Sequence, residues 1–151
     1  MKLSIPIKYG LLITFGVIAW VLITHSVFSP QSPVHTIGAM IFFNVFQFAM
    51  IYLGLRAKER EYGDKQDFKK GLKTGVSISM VYGLSACLVF AVLLAFVGPR
   101  LLAAEPGALN QPSIVVAAKA FAGLLVTALV LGLIYSTVIS FFLAKRESET
   151  E

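Results

Sequence analysis

Apolar residues in this chain gather into four long blocks, separated by short polar or charged stretches. The blocks run about Tyr9–Val27, Pro33–Leu55, Phe68–Val97 and Ile114–Leu143. A bilayer's hydrocarbon core takes about 20 apolar residues per helix, and each block meets that length. From Tyr9 to Leu55 there is no Asp, Glu, Lys or Arg, enough for two helices and a turn. The pattern predicts an all-α fold: an integral membrane four-helix bundle forming a single domain over residues 1–151.

Turn chemistry sets the expected ends. Ser29-Pro30-Gln31-Ser32-Pro33 holds two prolines that cannot continue a helix, so residues 28–32 form a tight turn. Ser32 is placed to cap the second helix, with Pro33 at its first position. Asp67 is placed to cap the third, and Gly98-Pro99 ends it. Three prolines, two glycines and Asn110 make residues 98–113 an irregular connection, with room for a short interfacial helix at Arg100–Glu105. The remaining connection is a charged loop at 56–67. Lys2 and Lys8 ahead of the first block resemble the start of a signal peptide. No small-x-small cleavage site follows, so an uncleaved helix is expected.

Composition agrees with this reading. Hydrophobic residues make up 57% of the chain and the mean hydropathy is +0.80. That is more apolar than a soluble domain, where about half is usual. One cysteine, Cys87, excludes an intrachain disulfide.

Charge adds an orientation. Lys2, Lys8, Arg56, Lys58, Arg60, Lys65, Lys69, Lys70, Lys73, Lys145 and Arg146 fall on one side of a four-span protein, and only Arg100 and Lys119 on the other. Basic residues stay in the cytoplasm, so both termini and the central loop are expected there. Between Arg56 and Lys73 seven basic residues are interspersed with four acidic ones, Glu59, Glu61, Asp64 and Asp67. A juxtamembrane basic residue gains about 1 kcal/mol near an anionic leaflet, and the acids dilute that attraction. The tract reads as a topology determinant whose Arg56, Lys58, Arg60, Lys69, Lys70 and Lys73 are also candidate contacts for lipid headgroups or a partner protein. It is short and lies against the membrane, so nucleic-acid binding is not expected.

The segment from Met50 through Leu55 into Arg56-Ala57-Lys58-Glu59-Arg60 is an apolar helix that contains Gly54 and runs into a basic tract. Phe68, Gly71 and Gly75 follow, then Tyr82 inside the third block, and Leu131-Gly132-Leu133-Ile134-Tyr135-Ser136 leads to Ala144-Lys145-Arg146. In these motifs the chain resembles the bacterial membrane family known as domain of unknown function 4199, best over its second, third and fourth helices. The resemblance implies four membrane helices in a bacterial inner membrane. It implies no activity.

Polar groups within the blocks are the remaining candidates. Asn44 and Gln47 are three residues apart on one face of the second helix, near the expected midplane. Amides in hydrocarbon usually bond between helices, and the sharper alternative is a polar path or small-ligand site. Neither can carry charge, and no Asp or Glu lies in a core block, which removes the usual coupling carboxylate of ion-driven transport. Lys119 reads as an interfacial anchor, or as an anion contact facing a cavity. His25, His35 and Glu105 lack metal-ligand spacing, so no metal is expected. Ser77, Ser79 and Ser85 have no histidine near them to act as a base.

A firmer pattern lies in the small residues. Gly75, Ser79, Gly83, Cys87, Ala91 and Ala95 recur every fourth position on the third helix, and Ala128, Gly132, Ser136, Ser140 and Ala144 on the fourth. Lipid offers helices no hydrophobic drive to associate, so small residues that let backbones approach are the expected contact. They pack either the chain's own bundle or an oligomer. The expected function is therefore non-catalytic: an accessory, scaffold or envelope-associated membrane component, with no cofactor. Its expected partners are membrane lipid and either a second copy or another membrane protein, with no small-molecule substrate identified. The alternative is an oligomeric transporter or channel with a polar path at Asn44 and Gln47. A lipid-modifying enzyme would need a carboxylate or metal cluster at the interface, and the sequence offers none.

Overall fold

The computed structural model describes residues 3–27, 33–62, 67–98 and 112–148. They form four helices: α1 (Ile5–Val27), α2 (Pro33–Tyr62), α3 (Phe68–Val97) and α4 (Ser113–Ser148). All four are long and apolar enough to cross a membrane. At about 1.5 Å per residue, the 36 residues of α4 exceed a hydrocarbon core of about 30 Å, so its ends reach past it.

The exterior is as apolar as the interior. Phe15, Leu22, Ile41, Leu88 and Phe142 point outward, and Phe96 is 86% exposed, while Thr14, Gln47, Thr74, Ser79, Ser136 and Ser140 are buried. A soluble monomer rarely leaves contiguous apolar patches larger than a few hundred Å². This distribution, polar inside and apolar outside, suits a multi-pass membrane protein.

Helices consecutive in the chain run antiparallel, so α1 lies parallel to α3 and α2 to α4. Tyr9 near the start of α1, Gly54 late in α2 and Ile78 early in α3 meet, and Gly71 at the start of α3 lies against Ser140 late in α4. Lys8, Arg56, Lys58, Arg60, Lys69, Lys70, Lys73 and Lys145 therefore gather at one end, and Lys119 sits towards the other. The α3–α4 pair is the most closely packed. Helices α2 and α3 each touch all the others, and α1 and α4 lie diagonally opposite.

The α3–α4 seam has a regular register. Gly71 faces Ser140, Gly75 faces Ser136, Ser79 faces Gly132 and Gly83 faces Ala128. Each glycine meets a serine or alanine across the seam, so the backbones come close where either partner has the smaller side chain. These parts of both stripes are thus spent inside the monomer's bundle, whereas Ala91 and Ala95 further along α3 are exposed. A Cβ on Gly83 would lie 2.9 Å from Leu125 Cδ1 and one on Gly75 2.6 Å from Ser136 Cβ, both too close. Two of the seam's buried hydroxyls bond within their own helices: Ser79 donates to the Gly75 carbonyl at 3.1 Å and Ser136 to that of Gly132 at 2.5 Å, while that of Ser140 has no partner.

Helix α1 packs on α3 through Gly10, whose Cβ would meet Val81 at 2.7 Å, and through a hydroxyl pair, Thr14 with Ser85, at 2.5 Å. On its α2 side, Gly16 leaves the notch that Phe46 fills, and Trp20, Phe42 and Phe46 form a stacked row. Centred on Ile13, Ile51, Leu55, Ile78, Ile139 and Leu143, the larger apolar core lies in the half of the bundle nearer the basic end, and a smaller one, Val116 and Ala117 with Phe90, Leu94 and Phe121, lies towards the other.

The largest departure from expectation is the charged tract. The expected loop at 56–67 is helical through Tyr62, so α2 continues one and a half to two turns beyond Leu55. Arg, Ala, Lys and Glu are strong helix formers, and nothing in Arg56–Glu61 breaks the helix. Arg56 pairs with Glu59 at 3.2 Å, and Lys58 donates to Thr74 Oγ1 at 2.7 Å, tying this extension to α3. Helix α4 likewise runs past Leu143 to Ser148, and α1 starts at Ile5 rather than near Tyr9. Asp67 does occupy the N-cap of α3, in extended conformation, but its side chain makes no capping bond. Gly98 ends α3 with a φ of 76°, a conformation that favours glycine, and its N–H bonds to Leu94 O. Ser32, the 28–32 turn and the candidate helix at Arg100–Glu105 lie outside the described residues.

One glycine breaks the pattern of close contact. A Cβ on Gly123, in mid-α4, would meet nothing within 4 Å. Glycine costs a helix interior about 1 kcal/mol relative to alanine. Expected outcomes follow for detergent-solubilised protein. Gly75→Ile and Gly132→Ile each overpack the seam and lower thermal stability, by about 1–3 kcal/mol or more. Gly123→Ala leaves it unchanged or raises it. Thermal unfolding of the three variants checks this, and an equal loss in all three contradicts the packing described.

Candidate functional site

A cavity of about 710 Å³ opens between α2 and α4, with Tyr82 and Phe90 of α3 behind it. Met40, Phe43, Phe90 and Leu124 form apolar walls. Asn44, Gln47, Tyr82 and Thr127 add amides and hydroxyls, and Lys119 lies at the α4 N-terminal end. Exposed Met40, Lys119, Gly123 and Thr127 mark its open side, which faces away from the bundle.

The helix packing accounts for this opening. The Trp20–Phe42–Phe46 row holds the outer half of α2 against α1, and the small-residue seam holds α4 against α3. Between the two pairs, α2 and α4 meet beside the cavity through polar side chains and an edge-on contact of Phe48 with Tyr135. Gln47, 4% exposed, donates from Nε2 to the Ala128 carbonyl at 3.4 Å, a long bond. Asn44 donates from Nδ2 to the Met40 carbonyl at 2.6 Å and accepts from the Tyr135 hydroxyl. Asn44 and Gln47 thus share one face, turned to α4.

Among the residues picked out in the sequence, the structure brings Asn44, Gln47 and Lys119 onto one cavity. It places Gly75, Ser79, Gly83, Gly132 and Ser136 together on the α3–α4 seam. The basic set stands apart, at the other end of the bundle. There Arg56 donates from Nε to the Tyr52 hydroxyl at 3.3 Å, and Arg60, Lys69, Lys70 and Lys73 are exposed. A second recess of about 450 Å³ lies at that end, lined by Tyr9, Tyr52, Arg56, Arg60 and Glu61.

Tyr135, which holds Asn44, and Gly123, which lines the cavity, are residues to which sequence reasoning gave no role at this site. A tyrosine far from either interface needs a partner for its hydroxyl, which was the available signal for Tyr135. Gly123 carried no signal, because only the empty space beside it sets it apart from the other glycines.

For catalysis the site offers little. Among the described residues no three His, Cys, Asp or Glu side chains come together as metal ligands. The His25 and His35 side chains and all of Glu105 lie outside the described residues. Ser77 and Ser85 donate to the Lys73 and Val81 carbonyls at 2.8 Å, one turn back in their own helix.

The Asn44–Tyr135 contact has a measurable weight. In a double-mutant cycle of Asn44→Leu and Tyr135→Phe, unfolding free energies should show a coupling of about 0.6–2 kcal/mol, as for interhelical bonds in membranes. Strict additivity contradicts a contact between the two side chains.

No curated protein and no solved structure matches the chain significantly. A family model does match, over residues 8–104, with the description Protein of unknown function (DUF4199). That match takes in α1, α2 and α3 and stops short of α4. The family resemblance seen in the sequence holds, and its extent is corrected in one respect: the matched part takes in α1 with α2 and α3 and not α4. The chain belongs to the DUF4199 family, with α4 and all of the seam's second stripe beyond the matched part.

Proposed function

We propose that this protein is a non-catalytic component of a bacterial inner membrane, acting as an accessory or scaffold through helix and loop contacts. One observation carries the reading. Apart from Trp20 Nε1 and Ser140 Oγ, the described polar side chains buried in the spans are engaged within the bundle, whereas charged side chains stand exposed at one end. Thr14 meets Ser85, Gln47 meets the Ala128 carbonyl and Asn44 meets Tyr135. Arg60, Glu61, Asp67, Lys69, Lys70, Lys73 and Lys145 are exposed at the basic end. The helical extension of α2, tied to α3 by Lys58 and Thr74, presents part of this charge on a fixed frame. A partner of mixed charge is the natural complement.

Orientation is part of the proposal. The same end carries the basic residues that remain cytoplasmic, so both termini lie inside. An impermeant thiol reagent applied to whole cells should label Gln31→Cys and spare Gly63→Cys, each in a Cys87→Ser background. The reverse pattern overturns the orientation.

The cavity favours a second reading, an oligomeric transporter or channel with its path beside Asn44 and Gln47. Reconstituted proteoliposomes separate the two. The accessory reading expects no solute or ion flux above protein-free vesicles. Robust flux that Asn44→Leu abolishes overturns it. Gentle extraction and native mass spectrometry then test the contact surface. A co-purifying membrane protein should be lost in the triple variant Arg60→Glu, Lys69→Glu, Lys73→Glu, with the melting temperature unchanged. If that triple variant retains the partner undiminished, contact through the basic end is contradicted.

A further inference from the structure

We infer that the α2–α4 cavity is a lateral binding groove for one anionic phospholipid of the leaflet at the Lys119 end, its headgroup at Lys119 and an acyl chain along α4. The inference rests on membrane insertion and not on the accessory role. Three observations support it.

The first is the shape of the groove. Along α4 it runs from Lys119 to Leu131, about 18 Å at the helical rise. That is close to one leaflet, half of a hydrocarbon core of about 30 Å. Its volume of about 710 Å³ lies within the roughly 300–1,000 Å³ typical of ligand pockets. Its open side faces the hydrocarbon, so a chain enters sideways without crossing the bundle.

A second observation is the graded lining. Lys119, in the second turn of α4, lies at the depth where a long cationic side chain reaches the headgroups. Below it follow the apolar surfaces of Phe43, Phe90 and Leu124. Gln47 and Asn44 close the far end, committed to Ala128 and Tyr135. A cationic rim above an apolar channel fits an anionic amphiphile better than a neutral one.

Gly123 is the third. Of the described helical glycines it alone has open space where a Cβ would stand. Glycines at the other helix contacts let a neighbour approach: Gly75 admits Ser136, and Gly16 admits Phe46. Bare backbone at Gly123 admits nothing from this chain, although it lines the groove. A bound chain lying across it is what that gap accommodates.

The test uses the full chain, purified in mild detergent, delipidated and mixed with phosphatidylglycerol or phosphatidylethanolamine. Native mass spectrometry reads the adducts. The wild type should retain one phosphatidylglycerol per chain in preference to phosphatidylethanolamine. Gly123→Leu extends into the groove from a position whose Cβ meets no protein atom within 4 Å, so retention should fall at least several-fold with the melting temperature unchanged. Thr127→Phe fills the same groove from an adjacent exposed position and should do the same. Lys119→Gln should abolish the preference between the two lipids. Undiminished retention in either folded groove-filling variant overturns the site. An unchanged preference in Lys119→Gln overturns the headgroup assignment. A wild type that retains no lipid, or that shows a second copy of the chain in place of the lipid, overturns the whole inference.

Discussion

Close approach of the α3 and α4 backbones is the constraint on which the rest of the bundle depends. In lipid, apolar side chains gain nothing by leaving one apolar surface for another, so helices associate through packing and a few polar contacts. Here Gly71, Gly75, Ser79 and Gly83 meet Ser140, Ser136, Gly132 and Ala128 in one antiparallel register. A shift by one turn would set glycine against glycine at some positions and serine against serine at others. The alternation of sizes therefore fixes the register as well as the distance. With α3 and α4 joined, α1 docks on α3 through Gly10 and Thr14, and α2 docks on α1 through its aromatic row.

That assembly order leaves α2 and α4 as the loosest of the packed faces. Their contact relies on Gln47 and Asn44, and the space beside those amides is the cavity. A polar contact flanking a lipid-facing opening is a natural place for exchange with the membrane, because only side chains need move there. The basic end is built differently. Leu55, Ile78, Ile139 and Leu143 fill the core beneath it, and Lys58 joins two helices above it. One end of the molecule is thus tightly packed and charged, and the other is open and apolar.

The four helices and the two small-residue stripes were legible in the sequence because they follow from simple repeats: block length for the spans and every-fourth-residue spacing for the seam. Asn44 and Gln47 were legible as a pair because an amide in hydrocarbon stands out. What could not be read was which surface each feature meets. The Gly75 and Gly132 stripes fitted an oligomer as well as a monomer until their facing register was known. The charged tract looked like a loop because charge ended the apolar block, yet Arg56–Glu61 is made of helix formers and continues α2. Gly123 looks in sequence like the glycines of the seam, and only its surroundings distinguish it.

The central claim, that the two stripes pair within one chain, is open to a direct measurement. Cysteines placed together at positions 83 and 128, as Gly83→Cys with Ala128→Cys in a Cys87→Ser background, stand close to the Cβ separation of a disulfide and can be oxidised in native membranes. Mass spectrometry and non-reducing electrophoresis then read the product. The account predicts an intramolecular disulfide at the monomer mass. A predominant disulfide-linked dimer would contradict it and place the seam between chains.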